Sequence, residues 1–531
     1  MVLLYRLPAI CRLFSLRNFF SARSYLSCLD DKPMKLGKDI LTFVFLKSKA
    51  FLHCLKNMKE EKPLQNQLIA GFALNASYEQ VGASNIDQLK RHLLDALGSL
   101  YHAATKPTIH KLVKQLRTLG EGGACLVPLL GRLPYDRAAQ LYTALIRYPD
   151  FMDNYMGKEA TCHPSDNIGA LLAAAQFRKT SGKEFLTAMA ITYQLECRLV
   201  NEIPVMIEGI DHTLLLGYSM SAGISRLLGL NEEQTAHALG ITGTSISPMV
   251  SSRASYTYEW KGFASSMDAL DCTNICFLAR EGMTGPIAIF EGPKGFKEVF
   301  DMQLDYDWTK ENFELIPRCV LKQYNSEVHS QAVLEAVEEL RKKGDFTTDD
   351  IERIDVTTFL TAYHIIGSGS YGDRKIVATK EQADHSLFYQ VAVLLLDGEI
   401  YPQQYEPARI TRADVQELLQ KVFVHTGFPL HKPVKIAGML DPYTWNYPDK
   451  MPSKVKIHLK NGDTLEAERD DYYGFFTRPF SWEATIAKFR RLSGEMLSCE
   501  QQDRVIEVVK QLDEQERIES LINLLVQPSN L

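Results

Sequence analysis

Between residues 64 and about 314 apolar side chains recur at spacings of three and four, with no sustained two-residue alternation, which predicts a succession of amphipathic helices. Residues 86–101 set the pattern: Leu89, Leu93, Leu94, Leu97 and Leu100 form one stripe, and Asp87, Lys90 and Arg91 take the wet face. Residues 185–200 and 214–228 follow the same rule. The second stretch also carries Gly217, Ser219, Ser221, Ala222, Gly223 and Ser225, small residues that let helix backbones come close. Asn231 with Gln234 three positions on predicts a capped start for the next helix.

The pattern changes after Pro317. Ile354, Val356 and Thr358 alternate with polar neighbours as a strand does, and residues 455–468 alternate about Asn461-Gly462, the preferred pair for a tight hairpin turn. Residues 330–343 read as a helix before these strands and 385–396 as one between them, and helices return at 503–512 and 514–525. A mainly α chain is expected: a large all-helical domain from residues 58–316 and 469–531, with a smaller α+β domain, 317–468, inserted between.

The first 57 residues read differently. No acidic residue occurs from 1 to 29, while Arg6, Arg12, Arg17 and Arg23 alternate with Leu, Phe and Ser, as in a mitochondrial presequence. Translation starting at Met58 is the equal alternative. The expected location is the cytoplasm, or the mitochondrial matrix if this leader is a true presequence. The apolar run 40–46 is far too short to span a bilayer, so no membrane partner is expected.

Composition narrows the function classes. Hydrophobic residues at 45% and charged ones at 23% fit an ordinary globular enzyme. A net charge of -6 offers no global attraction for a phosphate backbone, which argues against a nucleic-acid partner. Ten cysteines spread over 531 residues do not form a disulfide framework. Cys272 and Cys276, one helical turn apart, lack further partners for a metal and read as core thiols.

The candidate chemistry lies in residues 150–169, where Asp150, Asp153, Asn154, His163, Ser165 and Asp166 are packed into a segment punctuated by Gly and Pro. Ser165 or Asp166 could equally cap the helix that follows, and His163 on composition alone would be a surface loop residue. The sequence His163-Pro164-Ser165-Asp166-Asn167 resembles a motif of the MmgE/PrpD family. Leu94-Asp95-x-Leu97-Gly98, Gly209-Ile-Asp-His-Thr213, Trp260-Lys-Gly262, the segment 279–286, Lys322-Gln-Tyr324, Glu327-Val-His-Ser-Gln331 and the segment 383–389 resemble further family segments in the same order.

The resemblance implies a helical domain with a smaller lid domain and a site between them. It implies a metal-independent lyase without cofactors, a homodimer, that removes water from 2-methylcitrate, a small tricarboxylate, to give 2-methyl-cis-aconitate in propionate breakdown. His163 and His212 would share the proton transfers, Asp150 would orient a histidine, and Lys322 and Tyr363 would complete the catalytic set. Asn154, Ser165, Arg253 and Lys261 would contact substrate. Asn154 stands where relatives carry Thr, and Thr257 where decarboxylases of the family carry Lys. The alternatives are decarboxylation of cis-aconitate, another lyase or isomerase reaction on this scaffold, and a binding protein that has lost catalysis.

Overall fold

The computed structural model describes residues 62–526 except 121, 158–159, 255, 303 and 433, so the leader and the alternative start at Met58 lie outside the described residues. The three- and four-residue spacing gives helices α1 (Gln65–Asn75), α2 (Ala83–Ala104), α3 (Pro107–Leu119) and α4 (Tyr135–Arg147). Helices α5 (Asp166–Arg178), α6 (Gly182–Glu202), α7 (Thr213–Leu228), α8 (Glu232–Ser245) and α9 (Ala264–Arg280) follow. The leucine stripe of α2 is fully buried. The Asn231 side chain accepts a hydrogen bond from the Gln234 backbone, and the Gln234 side chain accepts one from the Asn231 backbone, the reciprocal cap expected from the sequence. The small-residue face of α7 is tight: a Cβ on Gly223 would lie 2.4 Å from Thr192 Cγ2 on α6. Cys272 and Cys276 are buried and face backbone carbonyls of α7.

The helical stretch is interrupted where no alternation announced it. Strands β1 (Tyr155–Met156) and β2 (Thr161–Cys162) pair antiparallel inside the segment expected to be irregular. They are too short to leave a two-residue pattern, and their pairing brings Asn154, just before β1, beside His163, just after β2.

After residue 317 come α10 (Gln331–Lys343), β3 (Ile351–Thr358), α11 (Leu360–Ile366), α12 (Leu387–Asp397), β4 (Val422–Thr426), β5 (Ser453–Leu459) and β6 (Thr464–Arg469). The sheet order is β4-β3-β5-β6, with β3 and β4 parallel and the other pairs antiparallel. The β5–β6 turn has Gly462 at φ +94°, where a side chain would be strained, and the Asn461 side chain accepts from the Asp463 backbone. Helices α13 (Trp482–Ser493), α14 (Cys499–Lys510) and α15 (Glu519–Val526) close the chain.

Apolar side chains gather in two cores. One draws on residues 69–319 and again on 489–525; the other draws on 320–475 together with Met156. Among the described residues no helix is long and apolar enough to cross a membrane.

Candidate active site

Where the two cores meet, a narrow cavity of about 60 Å³ is lined by Asp150, Asn154, His163, His212, Arg253 and Lys322, all singled out in the sequence. Arg147, Glu327, Tyr371 and His385 line it as well. The local folding explains the convergence. Helix α4 ends at Arg147, and the chain then turns sharply with Asp150 at φ +56°, a left-handed conformation that a residue with a Cβ adopts only when its surroundings hold it there. What holds it is charge. Asp150 accepts from Arg147 at 3.0 Å, Lys261 at 2.7 Å and Lys322 at 2.9 Å, and Lys322 also donates to the Asp150 carbonyl at 2.8 Å. Burial pushes the Asp150 carboxyl up, but these cations outweigh it and keep the group well below the ordinary carboxylate range. Asp150 therefore organises three cations; among the described residues it does not hydrogen-bond a histidine as expected, because the cations already occupy its oxygens.

Asp153 fixes the next part of the loop. Its carboxylate accepts from His92 at 2.7 Å, from the Tyr193 hydroxyl at 2.7 Å and from the Ser165 backbone at 2.9 Å. The start of α5 is thus capped by Asp153 from outside, and neither the Ser165 nor the Asp166 side chain caps it. Burial raises Asp166 to about 7 despite Arg147 nearby. Lys488, from α13, completes the frame: paired with Asp95 at 2.8 Å, it donates to the carbonyls of Phe151 at 2.6 Å and Lys322 at 3.2 Å. One buried ammonium of the C-terminal helices thereby ties together the two segments that carry Asp150 and Lys322.

His163 is a buried wall residue, 8% exposed, and not a surface loop histidine. Arg147 lies 3.3 Å from its Nε2, while Nδ1 lies 3.1 Å from the Asp153 carbonyl and 2.9 Å from the Asn154 amide. A guanidinium only donates, so Nε2 is the unprotonated nitrogen and Nδ1–H donates to the carbonyl. The Asn154 amide then fits best with its oxygen toward the ring. His212 faces His163 with ring centroids 5.6 Å apart, and its buried Nδ1 has no hydrogen-bond partner among the described residues. Burial drives the His163 imidazole well below its ordinary value and His212 down to about 3, so both rings are neutral near pH 7. Arg253 forks onto Asp211 beside His212.

Three expected contacts fall elsewhere. Tyr363 is half-buried and stacks on His431 at 4.2 Å, off the cavity; Tyr371, eight residues on, lines it instead. The Ser165 hydroxyl is buried behind the wall with no hydrogen-bond partner among the described residues. Lys261 sits behind Asp150, 3.4 Å from Asp384 and 2.9 Å from His385 Nδ1. Asp150, Asp384 and His385 bring potential metal-ligand atoms within 4.8 Å of one another, but the Lys261 ammonium already lies among them. A larger groove of about 700 Å³ runs along Lys106, Tyr148, Trp260 and Lys380 and contains neither histidine.

Arg147, Glu327, Tyr371 and His385 were missed as cavity residues. Arg147 reads in sequence as an ordinary cation on a last helical turn, and Tyr371 as the tail of a Gly-Ser turn. Glu327 and His385 sit within family-like segments, which was a usable signal.

The MmgE/PrpD N-terminal domain matches residues 67–309 and the MmgE/PrpD C-terminal domain residues 324–514. The chain is 25% identical to cis-aconitate decarboxylase of Homo sapiens, over 84% of this chain and 91% of that protein. It is 25% identical to 2-methylcitrate dehydratase of Escherichia coli, over 69% of this chain and 78% of that protein. It is 26% identical to the mitochondrial 2-methylcitrate dehydratase of Yarrowia lipolytica, over 62% of this chain and 64% of that protein.

Proposed function

Because the chain belongs to the MmgE/PrpD family, whose named relatives are lyases, we propose that it is a metal-independent hydro-lyase converting 2-methylcitrate to 2-methyl-cis-aconitate and water. The observation that carries this reading is the pair of neutral imidazoles facing each other across a cavity edged by Lys322, Arg147 and Arg253. Dehydration breaks a C–H bond beside a carboxylate and a C–O bond on the neighbouring carbon. His163 Nε2, which the Arg147 guanidinium meets at 3.3 Å in the free protein, takes the carbon-bound proton once Arg147 turns to a substrate carboxylate. The electron pair left behind forms the double bond as hydroxide departs.

His212 gives the departing hydroxide its proton. Neutral in the free protein, this ring takes up a proton when a trianion binds, since an adjacent anion favours the charged imidazole. Negative charge that accumulates on the substrate carboxylate as the C–H bond breaks needs fixed donors, and Lys322 and Arg253 supply them from positions already set by Asp150 and Asp211. The cavity draws its walls from both cores, and a movement of residues 317–468 as a lid would widen it for entry.

Decarboxylation of cis-aconitate is the second reading, favoured by the longer match to the human decarboxylase. Thr257, where decarboxylases of the family carry Lys, favours dehydration.

Metal independence is tested directly. Turnover of 2-methylcitrate should be unchanged after exhaustive chelation and dialysis, because a lysine ammonium fills the place where Asp150, Asp384 and His385 could gather a cation. Loss of activity that returns on adding iron or zinc would overturn this part of the proposal.

A further inference from the structure

Two carboxylates line the cavity, and they are held in opposite ways. Asp150 is enclosed by three cations. Glu327 instead leans on a hydrogen-bonded relay: its Oε1 accepts from His329 Nδ1 at 2.7 Å, its Oε2 accepts from the His329 backbone at 2.9 Å, and His329 Nε2 meets the Tyr447 hydroxyl at 2.9 Å. His329 is fully buried, and Phe359 stacks on Tyr447 at 4.8 Å, so neither ring of the relay can swing away. A carboxylate accepts about four hydrogen bonds. Those from His329 leave Glu327 with accepting capacity on the cavity side.

A carboxylate is a poor wall for a polyanion unless it faces a part of the ligand that donates. The carboxylates of a tricarboxylate cannot donate, whereas its hydroxyl can. We infer that Glu327, positioned by His329 and Tyr447, accepts the hydrogen bond of the substrate hydroxyl and selects hydroxylated tricarboxylates over those lacking the hydroxyl. This inference rests on the reading of the cavity as a tricarboxylate site. An acid without the hydroxyl leaves Glu327 buried against carbon or against a like charge, and a buried acceptor left unmet weakens binding. Glu327 touches the substrate; His329 and Tyr447 act through it.

The relay also sets the pH window of the selection. His329, His385, Lys322, Arg374, Tyr447 and Tyr472 are the titratable and charged groups facing Glu327. Burial pushes its carboxyl up, and His329 together with His385 and Lys322 more than compensates, leaving it below the ordinary value. The ionised form is the acceptor, so preference for the hydroxyl is present above the Glu327 pKa and is lost as pH falls through it. With the ring neutral, the Tyr447 hydroxyl donates to Nε2 and strengthens the Nδ1–H donor; with the ring charged, it accepts from Nε2–H and stabilises the cation beside Glu327. Tyr447→Phe therefore raises the Glu327 pKa and moves the loss to higher pH.

Citrate and tricarballylate, which is citrate without its hydroxyl, are the probes, and calorimetric binding is the readout. The full chain should bind citrate on the order of ten- to a hundred-fold more tightly than tricarballylate near neutral pH. Glu327→Gln should keep its melting temperature and bring the ratio to within about threefold, mainly by improving tricarballylate binding. Tyr447→Phe should keep the ratio at neutral pH and lose it at a higher pH than the parent does. Equal affinities in the parent, no binding of either acid, an unchanged ratio in Glu327→Gln, or an unmoved midpoint in Tyr447→Phe would each overturn the inference. Because binding is read without turnover, a protein that shows the Glu327-dependent preference but does not dehydrate 2-methylcitrate removes the proposed reaction and leaves the specificity role intact.

Discussion

Replacing His163 with glutamine is expected to lower kcat for 2-methylcitrate by on the order of a hundred- to ten-thousand-fold, the range for loss of one acid or base. The fall should be larger in kcat than in KM, since the imidazole acts on a proton that moves only in the transition state. Stability should change far less. His163 is buried and hydrogen-bonded to the Asp153 carbonyl, so the expected loss is about 1–2 kcal/mol, above that of a surface residue and well below that of a core deletion. Paired measurement of kcat and melting temperature decides between a proton-transfer residue and a packing residue. A folded variant that keeps more than about a tenth of kcat would contradict the catalytic role.

Asp150→Asn is expected to do the reverse, striking the fold as hard as the chemistry. The amide keeps the shape but removes the charge that Arg147, Lys261 and Lys322 share in a buried site. Breaking a buried ion pair by removing one partner costs about 3–5 kcal/mol; Lys261 retains Asp384 and Arg147 retains Asp166, whereas Lys322 keeps no second carboxylate among the described residues. Urea unfolding at neutral pH should show that loss. The sign of its pH dependence follows from the depressed Asp150 pKa. The stabilisation is present above the unfolded-state value near 4 and fades as pH falls below it, so parent and variant should converge on acidification. A gap that persists or widens at low pH would mean that packing, and not charge, is what the substitution removes.

The fold was legible wherever burial is periodic. The leucine stripe of α2, the cap at Asn231 and the Asn461-Gly462 turn each express one local rule, and each lies where the sequence places it. The β1–β2 pair was not legible, since two residues are too few to alternate. The cavity was legible in part. His163, His212, Lys322, Asp150, Asn154 and Arg253 converge on it, whereas Tyr363 turns away to stack on His431 and Tyr371 takes the position at the wall. Periodicity reports which face of an element is buried, but not which buried polar groups meet across 172 residues of chain, as Asp150 and Lys322 do. Nor does it show that a carboxylate is already satisfied by cations. For that reason Asp150 read as a partner for histidine and proved to be the hub of Arg147, Lys261 and Lys322.

The central claim, that the facing histidines serve water elimination from a hydroxylated tricarboxylate, is tested most directly by kcat/KM for 2-methylcitrate and for cis-aconitate measured side by side, with products identified by NMR. The account predicts an unsaturated tricarboxylate from 2-methylcitrate with no loss of carbon, and no carbon dioxide from cis-aconitate. Release of carbon dioxide from cis-aconitate with 2-methylcitrate left intact would contradict it.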